Sequence, residues 1–255
     1  LGNLGPAAAA TDVLAQLLKL FKDPNADVRI TAARALGHLG PAAASTDVLA
    51  QLLKLCQNQN DNVRRTAARA LGNLGPAAAA TDVLAQLLAL FKDPNADVRI
   101  TAASALGNLG PAAAATDVLA QLLALFKDPN ADVRITAASA LGNLGPAAAA
   151  TDVLAQLLAL FKDPNADVRI TAASALGNLG PAAASTDILA QLLKLCQNPN
   201  DNVRSTAARA LGNLGPAAAA TDVLAQLLKL CQDSNAAVRI TAASALGNLG
   251  PAAAA

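Results

Sequence analysis

Residues 23–41 read DPNADVRITAARALGHLGP, and this stretch decides the fold. Asp23-Pro24-Asn25-Ala26-Asp27 gathers turn formers and N-cap candidates ahead of an apolar pattern, which is how a short helix-to-helix connection reads. At about 100° per residue from Val28, Ala32, Ala35, Leu36 and Leu39 fall within one quadrant, the stripe of a buried helical face. Ile30 and Arg34 point the other way. Leu39-Gly40-Pro41 ends the helix, because Gly supplies a positive-φ C-cap and Pro cannot continue the backbone hydrogen bonding. The spacing therefore predicts a helix, here called helix B.

Upstream, Val13, Leu14, Leu17, Leu18, Leu20 and Phe21 repeat at the spacing of one helical face between Thr11 and Lys22, which predicts a partner, helix A. Asp12 in its first turn and Lys22 in its last suit the helix dipole. Gly5-Pro6 and the run Ala7 to Ala10 are expected to form a helical turn with a bend near Thr11. The unit is a helical hairpin.

LGNLGP begins at Leu1 and returns, once as LGHLGP, every 35 residues without insertion or deletion. Copies starting at Leu71, Leu106 and Leu141 are identical, while those starting at Leu36 and Leu176 share a divergent stretch around LAQLLKLCQN. One hairpin cannot bury both of its apolar faces, and the Ala and Gly of helix B allow neighbours to approach closely, so stacking follows. The expectation is an all-α protein: one array over residues 1–255, seven two-helix repeats plus the start of an eighth, with no linker.

The Asp, Val-Arg, Ala-Ala and Ala-Leu-Gly-x-Leu-Gly elements within Asp23–Gly40 resemble the second half of a HEAT repeat, closest to the short HEAT-like type also found in phycobilin lyases. The resemblance covers the whole chain. It departs from the family in helix A, where Val13-Leu14-Ala15-Gln16 stands in place of a frequent proline. It implies a right-handed α-solenoid with helix A outside and helix B lining the concave side. It also implies a scaffold that binds a protein or peptide, lyase activity belonging to a small subset.

Composition narrows the function further. The 18 acidic residues, all Asp, against 19 Lys plus Arg give a net charge of +1, too small a field for phosphate-driven binding of nucleic acid or an acidic membrane. The longest uncharged runs, for example residues 100–116, are too short and too polar to span a bilayer. Three cysteines are too few for a disulfide framework and suit a reducing compartment, so an intracellular, cytoplasmic setting is expected.

Catalytic candidates are weak. Arg29, Arg64, Arg99, Arg134, Arg169, Arg204 and Arg239 recur in every copy and read best as ties between repeats rather than as a phosphate ladder. Asp12, Asp47, Asp82, Asp117, Asp152, Asp187 and Asp222 stand one hairpin apart, at about 10 Å, too far to share an ion, and are expected to cap helix A. Cys56, Cys196 and Cys231 replace a core phenylalanine and lack any CxxC or Cys/His cluster. His38 is the sole histidine. No enzyme, cofactor or metal is expected.

What remains is the helix B stripe opposite the core. One offset carries Ile30, Arg65, Ile100, Ile135, Ile170, Ser205 and Ile240; four residues later come Arg34, Arg69 and Arg209, with serine in the other copies; His38 takes an Asn position. An apolar row turned outward marks a partner site, whereas neighbouring helices could equally cover it. The leading expectation is a non-enzymatic scaffold that takes a peptide or protein on this face. The alternative is a self-assembling or end-to-end stacking piece of a longer repeat protein, since neither end carries a polar capping repeat.

Overall fold

The computed structural model of the chain describes residues 11–253. Within them, the A helices are α1 (Thr11–Lys19), α3 (Thr46–Leu55), α5 (Thr81–Ala89), α7 (Thr116–Ala124), α9 (Thr151–Ala159), α11 (Thr186–Leu195) and α13 (Thr221–Leu230). The B helices are α2 (Ala26–Leu39), α4 (Asp61–Asn73), α6 (Ala96–Asn108), α8 (Ala131–Asn143), α10 (Ala166–Asn178), α12 (Asp201–Asn213) and α14 (Ala236–Asn248). No strand occurs among the described residues. The architecture is an α-solenoid of repeated helix pairs.

Local chemistry sets each boundary. Asn25 caps α2, its side-chain oxygen accepting the Asp27 amide at 2.8 Å, and Asn60 caps α4 by accepting the Val63 amide at 3.2 Å. Helix B stops where Gly40 takes φ 63° and ψ −154°, a region essentially closed to residues with a Cβ. The Gly-Pro-Ala-Ala that follows is a single 3-10 turn, and an extended residue (Ser45, ψ 157°) separates it from α3. The bend expected before helix A is thus present; the first copy's version, at residues 5–10, lies outside the described residues.

Helix A begins differently from the expectation in one respect. The conserved-offset aspartates are not its N-caps. That place belongs to Ser45 and Ser185, whose hydroxyls accept the amides of Val48 and Ile188, or to alanines with no side-chain cap. The aspartate sits one residue into the helix, because the helix starts at the Thr before it. There it favours the positive end of the helix dipole, and Asp82 and Asp222 each accept the following Val amide at 3.0 Å.

Two compact units divide the chain, the first reaching Ala140 and the second starting at Leu141. In the first, α2 packs on α4 and α4 on α6, while α1, α3, α5 and α7 pack in sequence beside them. In the second, α10 packs on α12 and α12 on α14. The core consists of the predicted stripe: Ala32, Leu36 and Leu39, plus Val48 and Leu52 from helix A, all essentially inaccessible, as are their counterparts in the inner repeats. Each fully buried Leu contributes about 1.5–3 kcal/mol.

Successive B helices touch backbone to backbone. A methyl group placed on Gly72 would lie 2.7 Å from the Ala105 Cα, and on Gly212 2.6 Å from the Ala245 Cα. The same glycine in the last repeat, Gly247, meets nothing within 4 Å. Gly212→Ala is therefore expected to lower unfolding stability by about 1–3 kcal/mol through overpacking. Gly247→Ala should raise it by about 0.5–1 kcal/mol through helix propensity. Denaturant titration of the two variants checks the difference in sign.

Candidate functional site: the helix B ridge

The recurring arginine of helix B is spoken for. Arg64 clasps Asp93 of the next repeat with Nε to Oδ2 at 2.6 Å and Nη2 to Oδ1 at 3.0 Å, while its Nη1 donates to the carbonyls of Asn58 and Gln59. Arg99 holds Asp128, and Arg204 holds Asp233, by the same two-pronged geometry. Each arginine thus closes its own loop and grips the next one. Its partner is the aspartate that opens the connecting loop, not the Asp two residues before the Arg.

The ladder has gaps. The two divergent copies carry Asn58 and Asn198 where the others have the loop Asp. Facing Asn58, the Arg29 Nε is buried without a hydrogen-bond partner. The same copies gain another tie on their far side, where the Asn95 amide donates to Asp61 and that of Asn235 to Asp201. In the sequence, the loop position alternates only between Asp and Asn; that was the available signal for the true partner.

These ties displace proton equilibria. Burial pushes the Asp93 and Asp128 carboxyls up, yet hydrogen bonds from Arg64 or Arg99 and from the following Asn amide, with the nearby guanidinium charges, outweigh it and hold both below the ordinary carboxylate value. For Asp233 the hydrogen bond from Arg204 leads, and the carboxyl is again held low. Burial pushes the thiols of Cys56 and Cys196 up to about 12, so neither is a thiolate nucleophile at neutral pH.

On the outward stripe, Ile30, Ile100, Ile135 and Ile170 are half-buried, as is Arg65, and Ser205 is buried; only Ile240 stands open, at 69% exposure. The stripe is therefore not the open apolar row that its offset alone suggests. Close packing of adjacent B helices draws this position against its neighbour: the Ser205 and Thr241 hydroxyls share a hydrogen bond at 2.9 Å, and Arg65 lies 3.8 Å from Asp97. What reaches solvent is a polar ridge. Arg34, Arg69, Ser104, Arg209 and Ser244 are exposed, and so are His38 and the asparagines at its offset, Asn73, Asn108, Asn143, Asn178, Asn213 and Asn248.

Arg34, Arg69 and Arg209 form no ion pair among the described residues. Arg34 and Arg69 flank a cleft of about 90 Å³ between α2 and α4, with His38, Thr66 and Asn73. In the second unit, a shallow groove of about 530 Å³ runs over Gly177 and Gly212 and is bordered by Asn178, Asn213 and Asn248. Among the described residues, no three His, Cys or Asp side chains gather to hold a metal, and no helix is long and apolar enough to cross a membrane.

The family described as HEAT repeats matches residues 11–89, 84–160 and 154–229, and the HEAT repeat family matches residues 223–253. The chain belongs to the HEAT-repeat family. Among solved structures, this HEAT array is similar to a Kap121p mutant at TM-score 0.67 and 16% identity, over 95% of this chain and 30% of that one. The array is thus under a third of that protein's length. It is also similar to an engineered protein at TM-score 0.53 and 22% identity, covering 95% and 98%. Both likenesses are of fold. No curated protein matches the chain.

Two outcomes follow from the ladder. Asp93→Ala should lower stability by about 1.5–3 kcal/mol, the range for a hydrogen-bonded charge, and Asn58→Asp should raise it by satisfying Arg29; chemical denaturation measures both. Because the native carboxyls are depressed, their contribution is complete above about pH 5 and is lost as pH falls through about 3.9 toward the lower native values. Thermal melts of the HEAT array across that range should show stability falling with acid, and a flat profile would contradict the ladder.

Proposed function

We propose that this HEAT array is a non-enzymatic scaffold that holds extended peptides along the exposed helix B ridge of each of its two units. HEAT solenoids commonly bind proteins. The observation that carries the reading here is the ridge itself: one uncommitted Arg or Ser and one uncommitted Asn or His per repeat, on a floor made shallow by glycine. A carboxamide offers both a donor and an acceptor, the complement of a peptide bond. With B helices about 8–10 Å apart and an extended chain rising about 3.3 Å per residue, each repeat spans two to three peptide residues.

Specificity comes from the copies that differ. Arg34 and Arg69, adjacent across the α2/α4 cleft, present two guanidinium groups that match a carboxylate in the bound peptide. Arg209 offers a second such point in the other unit. The half-buried isoleucines shape the ridge beneath these groups, and Ile240 is the exposed exception. Of the loop-facing arginines, Arg64, Arg99 and Arg204 are engaged with aspartates within the fold.

Selection from a displayed library of unstructured peptides tests the reading. Binders enriched in Asp or Glu are expected, with affinity falling roughly tenfold when both Arg34→Ala and Arg69→Ala are introduced. Binders indifferent to those substitutions and to loss of Asn178, Asn213 and Asn248 would overturn it.

A further inference from the structure

Asn198 opens a gap in the arginine ladder of the second unit, and a groove lies at that gap. Arg169 donates Nη1 to the Asp163 carbonyl at 2.6 Å and to the Pro164 carbonyl at 3.1 Å, just as Arg204 serves its own loop. Its Nε and Nη2, the two atoms that Arg204 aims at Asp233, have no partner among the described residues. Asn198 stands where that aspartate would be, and its side-chain oxygen already accepts the Asn200 amide at 2.9 Å. The rest of the carboxamide is an NH2 donor, which cannot serve a guanidinium.

The groove measures about 790 Å³, runs between α9 and α11, and is lined by both Arg169 and Asn198. None of its lining residues belongs to the helix B ridge. Leu158, Phe161 and Leu195 form its apolar floor and are all half-buried, although Phe21, Phe91 and Phe126 at the Phe161 offset are buried, as is Leu230 at that of Leu195. Lys162 and Lys194 stand exposed along it against a single lining acid, Asp187. At the next junction, where Arg204 holds Asp233, the matching groove is only about 420 Å³. The roomier groove is thus the one whose arginine lacks a carboxylate.

We infer that this groove binds a small carboxylate that carries an apolar body. The ligand's carboxylate takes the place of the absent aspartate and accepts from Arg169 Nε and Nη2 in the two-pronged geometry that Arg204 makes with Asp233. Its apolar body covers Leu158, Phe161 and Leu195 and removes their exposed surface from water. Lys162 and Lys194 add attraction as point charges. The volume lies within the range of about 300–1,000 Å³ typical of small-molecule sites. A carboxylate fits better than a phosphate, because the same two guanidinium atoms hold carboxylates at Arg64, Arg99 and Arg204 and the floor is apolar. Arg29, at the other gap, does not offer an equivalent site, since its Nε is buried. The inference stands apart from peptide binding on the helix B ridge.

Titration calorimetry of the 255-residue chain with hexanoate tests it, with acetate, hexanamide and inorganic phosphate as comparisons. Hexanoate is expected to bind roughly tenfold or more tighter than acetate, which lacks the apolar body, and than hexanamide, which lacks the charge. Phosphate should also bind more weakly than hexanoate. Asn198→Asp should give Arg169 the chain's own carboxylate, raising the melting temperature and cutting hexanoate affinity roughly tenfold or more. Asn58→Asp, which acts in the first unit, should leave that affinity unchanged. Hexanoate that fails to bind, that binds no better than acetate, hexanamide or phosphate, or that binds the Asn198→Asp variant as tightly as the wild-type chain would overturn the inference.

Discussion

The contact between a glycine of one helix B and an alanine of the next is the constraint on which the structure depends. At Gly72 and Ala105, Gly177 and Ala210, and Gly212 and Ala245, no atom larger than hydrogen fits on the glycine Cα. That separation lets short side chains, mostly alanine, fill an interior at native density, and it explains how a chain with 2% aromatic residues still makes a continuous core. It also decides what the surface displays. Pulling the B helices together folds the isoleucine offset inward and leaves serine, arginine and asparagine outermost.

Electrostatics follows from the packing rather than leading it. Once adjacent repeats are this close, an arginine at the start of helix B such as Arg99 reaches both its own loop carbonyl and the next loop's aspartate. Arg64, Arg99 and Arg204 thereby join repeat to repeat by paired charges. Where a copy diverges, the pairing changes rather than disappears: Asn58 forgoes the clasp below it, while Asp61 takes up Asn95 above. The divergent copies are thus joined asymmetrically, and each face of a repeat has its own binding chemistry.

Most of the fold was legible in the sequence because repetition multiplies every weak local signal. The stripe of Ala32, Ala35, Leu36 and Leu39, the stop at Gly40-Pro41, and the core role of Cys56 and Cys196 all follow from spacing and residue type. Capping of helix A was read less well. Asp47 and its counterparts look like caps, but the extended residue falls two positions earlier, a choice made by the preceding 3-10 turn. The binding ridge was only half legible. Whether Ile100 or Ser104 faces solvent depends on how far helix B is turned toward its neighbour, which is a tertiary quantity that a single hairpin does not encode.

The central claim is that hairpins are held by neighbours through these close B-helix contacts and not by their own two helices. Native-state amide hydrogen exchange, followed helix by helix, tests this most directly. Slowest exchange is expected in α4 and α12, each flanked on both sides within its unit, and earlier opening in α1, α2 and α14, where one face lacks a described neighbour. Equal protection in all helices, with a single opening energy, would contradict it.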